Sequence, residues 1–398
     1  MGPTYWDYLQ LDRLLGLQGG VEGDESKLGT DELHFIIVHQ AYELWFKLVL
    51  RELRTARDEL SAPRVPEEKI PHVVHHLGRV TEIMKLLVDQ FRVMETLTPQ
   101  DFLAFRDKLI PASGFQSFQL RELEILLGLD DAERIAYAGA DPLEHIRGQA
   151  AWGRIEKARA EPTLRSALHD WLYRTPVQGS GPDDAGDDAS VKQFVTDYHS
   201  ALAGANREKT QHLLAALGGD AEAIQARMRD AEASAKRFLF AEDVAAPERA
   251  RVLRVRAGVL FIESYRELPL LAWPRLLIDS VVELEEQLVI FRSRHARMVE
   301  RIIGRRVGTG GSSGVDYLDQ TARYRVFSEL WSVRTLLLAK EHLPELRCVT
   351  RKARHRAPAR ARPPHRADRS GCPRHAPRGP CAAGSGHTKA RCGRARAP

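Results

Sequence analysis

Residues 275–304 read RLLIDSVVELEEQLVIFRSRHARMVERIIG, and within them Leu277, Val281, Leu284, Leu288, Phe291, His295, Met298 and Ile302 recur in unbroken steps of four and three. That spacing lines one side of an α-helix and no face of a strand. The run stops at Gly304, a residue type suited to the left-handed turn that ends helices. Working outward, the same period predicts a helix from about Thr30 or Asp31 to about Arg54, with Phe35, His39, Tyr42, Phe46, Val49 and Leu53 as its stripe. Another helix is expected at Thr98-Pro99-x-Asp101, where an N-cap hydroxyl, a proline at the first helical position and an acid in the first turn coincide. A last amphipathic helix is expected from about Tyr317 to Leu338. No sustained alternation of period two occurs, so the fold class is all-α.

The chain has 398 residues, 43% hydrophobic and 28% charged, which is ordinary globular composition. No apolar run approaches the ~18 residues of a membrane span, so no membrane association is expected. The start, Met1-Gly-Pro-Thr-Tyr-Trp-Asp-Tyr8, lacks the basic-then-apolar order of a secretory signal, and a cytoplasmic location is expected. The net charge of +5 hides two unlike parts: residues 349–398 carry fourteen Lys and Arg against the single acid Asp368, leaving residues 1–348 at about −8. From Val349 onward there is no Leu, Ile, Phe, Met, Trp or Tyr, and such a segment cannot offset its ordering entropy by burial. The reading is an all-α domain over 1–348 followed by a disordered basic tail over 349–398. The stretch of about 130–247 is more polar and is expected to be an inserted helical subdomain, its Gly/Pro/Asp-rich break at Gln178–Ser190 an exposed linker. All four cysteines, Cys348, Cys372, Cys381 and Cys392, lie at or beyond the boundary, which excludes thiolate chemistry and disulfides from the body.

Two histidines, His39 and His295, occupy stripe positions where pattern alone asks for leucine. One such residue is usually a hydrogen-bonded core histidine. A pair pointing inward from separate helices is a usual way for a helical bundle to hold a metal or haem. Phe102 and Arg106 sit at i, i+4 and share a face; the guanidinium suits a carboxylate and the ring suits a flat apolar group beside it. The glycine-rich run Gly308-Thr309-Gly310-Gly311-Ser312-Ser313-Gly314 does not match a dinucleotide fingerprint, since the third glycine position falls on Ser313. It reads as a loop closing over a small ligand, with Thr309 offering a hydroxyl. The H-x-x-H-H of His72, His75 and His76, with Glu67 and Glu68 upstream, lacks a cysteine or a second ligand pair at matching spacing and reads as a solvated helix face. No Gly-x-Ser-x-Gly elbow supports serine-hydrolase chemistry. The basic tail has no aromatics for base stacking, so no specific nucleic-acid partner is expected, only salt-sensitive attraction.

Three segments are more specific. Asp31-Glu-Leu-His-Phe-Ile-Ile-Val-His-Gln-Ala-Tyr-Glu-Leu-Trp-Phe-Lys47, Phe105-Arg-Asp-Lys-Leu-Ile-Pro-Ala-Ser-Gly-Phe-Gln-Ser117 and Arg294-His-Ala-Arg-Met-Val-Glu-Arg-Ile-Ile-Gly304 with the glycine-rich run after it resemble, in order, the tryptophan 2,3-dioxygenases. The resemblance covers Thr4 to about Leu346. It implies a helical bundle enclosing a b-type haem, one ferrous iron per subunit, that inserts both atoms of O2 across the indole C2–C3 bond of L-tryptophan to give N-formylkynurenine, the first step of the kynurenine route. It also implies a homotetramer. By position, His295 is the proximal iron ligand and His39 the distal, catalytic histidine that hydrogen-bonds the indole N–H. Phe35 lines the indole pocket, Arg106 takes the substrate carboxylate, Phe102 lies beside it, and Thr309 contacts the polar end of the amino acid. Ser113 and Gly114 lie near a haem propionate and the substrate, and Arg121 is a propionate partner. Tyr5 and Tyr8 match an arm that reaches a neighbouring subunit's site. Two features depart from the family: Phe291 stands where tryptophan is expected, and the tail resembles nothing in it, its Arg/Ala/Pro/Gly bias being that of GC-rich DNA read in a shifted frame.

Overall fold

The computed structural model describes residues 2–110, 112, 114–136, 143–217, 221–306 and 314–346. Fourteen α-helices form among them: α1 (Tyr5–Leu9), α2 (Leu11–Leu14), α3 (Thr30–Leu60), α4 (Ile70–Met94), α5 (Pro99–Phe105), α6 (Phe118–Leu127), α7 (Trp152–Ala160), α8 (Leu164–Arg174), α9 (Asp187–Leu217), α10 (Ala221–Leu239), α11 (Arg249–Ser264), α12 (Ala272–Ile303), α13 (Gly314–Thr321) and α14 (Ser328–Thr335). No strand forms among the described residues, so the all-α expectation holds. The tail 349–398 lies outside them.

Three long helices make the frame. α4 packs along both α3 and α12, α6 and α8 lie against α3, and α13 lies against α12. The two stripes read from the sequence face inward: Tyr42, Phe46, Val49 and Leu53 of α3 and Leu277, Val281, Leu284, Leu288 and Phe291 of α12 are buried. They meet Leu77, Met84, Leu87 and Phe91 of α4 in one continuous core. The buried Tyr42 hydroxyl donates to the Leu87 carbonyl at 3.0 Å, so the polar atom is satisfied across α3 and α4. α12 ends as expected at Gly304, whose φ of 62° no β-branched residue would tolerate comfortably.

Three expectations need correction. The first long helix runs past Arg54 to Leu60, because Ala56, Arg57 and Leu60 continue the buried stripe and the Arg57 side chain finds Asp58, Glu161 and the Pro162 carbonyl. The break at Gln178–Ser190 is not a free linker. Gln178 and Gly179 both take left-handed backbone, and the resulting turn pairs Val177 with Ser180. The buried Arg254 guanidinium holds that turn through Asp187 at 2.5 Å and the carbonyls of Tyr173, Thr175 and Ser180. Finally, the segment from Tyr317 to Leu338 is two helices, α13 and α14, with a turn between them.

That turn exists because the Glu285 carboxylate, buried on α12, collects three donors: the backbone amides of Val326 and Phe327 and the Trp331 indole N–H at 2.6 Å. An unbroken helix could not deliver both amides to one acceptor. Glu285→Ala leaves these donors without a partner in a dry site, and a loss of about 2–3 kcal/mol in unfolding free energy is expected from chemical denaturation. An unchanged midpoint would remove Glu285 from this account.

Candidate active site

One cavity lies between α3, α5, α6, α12 and α13. It is lined by Phe35, His39, Phe102, Arg106, Gly114, Arg121 and His295 of the residues singled out from sequence, together with Met94, Leu120, Met298, Ile302 and Leu318 among its apolar walls. The open space inside it is about 190 Å3.

The histidines sit on it from opposite helices. The 4-3 periodicity of α3 puts His39 one turn after Phe35, and its Nδ1 donates to the Phe35 carbonyl at 2.8 Å. A carbonyl only accepts, so in the neutral ring Nε2 is left as an acceptor. Burial lowers the His39 pKa, against the opposing effect of that hydrogen bond and of Glu43, which favours the neutral form. His295 is stacked on Phe91 of α4, centroids 5.6 Å apart and planes 12° apart, with Phe291 behind it at 6.1 Å. Burial, with smaller contributions from His39 and Arg121, pushes its pKa down to about 4. A neutral imidazole is the form that ligates iron.

The α5 side is aromatic. Thr98 caps that helix by accepting from the Asp101 amide, as the sequence predicts. Phe102 and Phe105 then stand 5.8 and 5.6 Å from the Phe35 ring, which itself lies 4.0 Å from His39. Arg106 follows at the start of a short 3-10 turn, half-buried on the same wall. A guanidinium beside three phenyl rings and an imidazole acceptor suits a ligand with a carboxylate at one end and a flat N–H-bearing ring at the other.

Beneath the cavity lies a charge cluster that the sequence reading missed apart from Arg121. Glu124 accepts from Arg121 at 2.9 Å and Arg134 at 2.8 Å, with Arg292 at 3.3 Å, and Arg292 also lies over the Tyr324 ring. Burial opposes ionisation of Glu124, but the three guanidiniums hold its pKa down to about 2. The exposed Asp131 takes a second bond from Arg134 and one from Arg159, so four cations meet two anions. Arg121 Nε and one Arg134 terminal nitrogen are buried with no hydrogen-bond partner. Such a wall retains positive charge and unspent donors for an anion. Only the i, i+3 spacing of Arg121 and Glu124 hinted at it; Arg292 comes from a helix far along the chain.

Ser113 and Thr309 lie outside the described residues. Tyr5 and Tyr8 do not reach the cavity: they are 76% and 77% exposed on α1, in a segment that also exposes Leu17 and Val21. Among the described residues no helix is long and apolar enough to cross a membrane.

Fold and site together define an all-α enzyme with a histidine pair, an aromatic wall and a cationic wall around one internal cavity. Residues 1–337 match the family described as Tryptophan 2,3-dioxygenase. The chain belongs to that family. It is 50% identical over 357 residues to the tryptophan 2,3-dioxygenase 2 of Ralstonia nicotianae, covering 86% of this chain and 95% of the relative. It is 49% identical over 356 residues to the tryptophan 2,3-dioxygenase of Sorangium cellulosum, covering 86% and 85%. The tryptophan 2,3-dioxygenase of Dictyostelium discoideum is 35% identical over 365 residues, covering 88% of each chain.

Proposed function

We propose that this chain is a cytoplasmic, haem-dependent dioxygenase that cleaves the indole C2–C3 bond of L-tryptophan with O2 to give N-formylkynurenine, the first step of tryptophan degradation by the kynurenine route, and that it works as a homotetramer. The observation that carries the reading is the convergence of His39, His295 and Arg106 on one cavity. Residues 1–348 form the dioxygenase domain, with about 130–247 as an inserted subdomain, and the tail takes no part in the chemistry. The exposed aromatic and aliphatic side chains of the N-terminal arm support assembly with further subunits.

The residues present fit a haem. His295 would supply a neutral imidazole to the iron, apolar side chains of α12 and α13 would line the macrocycle, and Arg121, whose Nε is buried without a hydrogen-bond partner, would supply charge for a propionate. When bound, haem supplies the ferrous iron at which O2 is activated, so activity requires a reductant to prime it although the net reaction consumes no electrons. Arg106 grips the substrate carboxylate and fixes which end of the molecule faces the polar rim. Phe35 and Phe102 hold the indole plane. His39 Nε2, kept an acceptor by the bond from Nδ1 to Phe35, accepts the indole N–H and turns C2 and C3 into register. The direct test is conversion of L-tryptophan to N-formylkynurenine by the reduced, haem-loaded protein; a haem-loaded protein inert toward L-tryptophan would sink the reading.

His39→Ala should lower turnover without abolishing it, since one positioning hydrogen bond is lost while carboxylate clamp and cofactor ligand remain. On 1-methyltryptophan, which has no indole N–H, the same substitution should carry a smaller penalty. Equal penalties on the two substrates would refute the hydrogen-bond role. Deleting residues 349–398 should leave haem binding and turnover intact and weaken retention on a polyanion column, because it removes about 13 net positive charges. Loss of turnover on truncation would assign the tail a role.

A further inference from the structure

The H-x-x-H-H motif of α4 is not absorbed by the chemistry above, and its surroundings differ from a plain solvated face. His72 and His76 lie at i, i+4, and their Nε2 atoms face one another 3.2 Å apart. Each ring is fixed from behind by a carboxylate of α3: His72 Nδ1 lies 2.8 Å from Glu59 Oε1, and His76 Nδ1 lies 2.5 Å from Glu52 Oε2. A carboxylate accepts only, so both Nδ1 atoms donate and, in neutral rings, both Nε2 lone pairs point at each other. Two lone pairs at that separation repel unless something positive stands between them.

We propose that His72 and His76, oriented by Glu59 and Glu52, form a binding site for a divalent transition-metal cation, zinc being the reference occupant. Two Zn–N bonds of ~2.0–2.1 Å at a tetrahedral angle hold their nitrogens about 3.3 Å apart, which is the observed spacing within a tenth of an ångström. A carboxylate behind each ligating imidazole is the arrangement that fixes tautomer and raises ligand basicity in metal sites. The acids are not a bare cluster: Arg79 bonds Glu52 at 2.8 Å and Lys69 lies 3.5 Å from Glu59. Arg79 also occupies His75 Nε2, so His75 is not a third ligand. Glu59 Oε2 is buried with no hydrogen-bond partner, a spare anionic atom beside the pair. Among the described residues no group of three or more metal-ligating side chains exists. The cation is accordingly held by two imidazoles and completed by water, an exchangeable site that joins α3 to α4 rather than a closed structural one.

The test is calorimetric titration of zinc chloride at neutral pH into the untagged, haem-loaded full chain with its cysteines alkylated, so that the tail thiols are silent. The expected result is a 1:1 phase that His72→Ala weakens at least tenfold. His72 is half-exposed, so its truncation spares the core. Glu59→Gln, which keeps the shape and a hydrogen-bond acceptor but removes the charge, should weaken the same phase about tenfold. The Soret band and helical circular dichroism should be unchanged in both variants. Identical zinc isotherms for the parent and His72→Ala chains, or no 1:1 phase in the parent, would overturn the proposal and leave a shared proton between the rings as their occupant.

Discussion

A His295→Ala variant is expected to purify without a Soret band. In the proposed function the His295 imidazole would be the iron ligand that α12 offers to the cavity, and a b-type haem has no covalent link to fall back on. The ring also packs against Phe91 and Phe291, which touch each other, so its removal opens a cavity costing about 2–4 kcal/mol. Helical circular dichroism must therefore be measured alongside the spectrum. The second arm is rescue: exogenous imidazole added to the folded variant should restore haem binding, because the space left behind has the shape of the lost ring. Full haem occupancy without rescue would show that iron is held elsewhere.

Arg106→Ala should cost about 2–5 kcal/mol in kcat/KM for L-tryptophan, the range for truncating one partner of a desolvated charge pair. The informative comparison is tryptamine, which has the indole and the amine but no carboxylate. If Arg106 is the clamp, the parent enzyme prefers tryptophan strongly and the variant loses that preference. A preference that survives the substitution would move the clamp to another residue. The aromatic wall gives a control: in the proposed function Phe102 and Phe35 hold the ring system common to both compounds, so their truncation should penalise both alike.

How far this was legible in the sequence depends on the range of each interaction. The long helices were visible because burial of one face writes a local 3.6-residue period, and His39 and His295 were visible as polar interruptions of that period. Phe102 and Arg106 were visible because i, i+4 residues share a face. The three segments that resemble the tryptophan 2,3-dioxygenases carried the rest of the assignment. What stayed hidden are partners joined by the fold alone: Arg292 reaching Glu124, Arg254 tying down the turn at Ser180, and Glu285 breaking one expected helix into α13 and α14. None of these leaves a periodic trace, since each pairs residues 41 or more positions apart. The carboxylates that orient the α4 histidines stayed hidden for the same reason, being on α3.

The two walls of the cavity are built from elements of very different length. His39 and His295 ride on α3 and α12, helices of 31 and 32 residues locked into the main core, whereas Arg106 stands where a seven-residue helix passes into a 3-10 turn of four. Local opening free energy follows such differences in burial and contact. Amide hydrogens around His295 should therefore exchange only on timescales close to those of global unfolding, while those of residues 105–110 exchange through sub-global fluctuations. If the proposed function holds, substrate entry and product escape should then go through fluctuations of residues 105–110, with the histidine wall keeping its geometry from one turnover to the next.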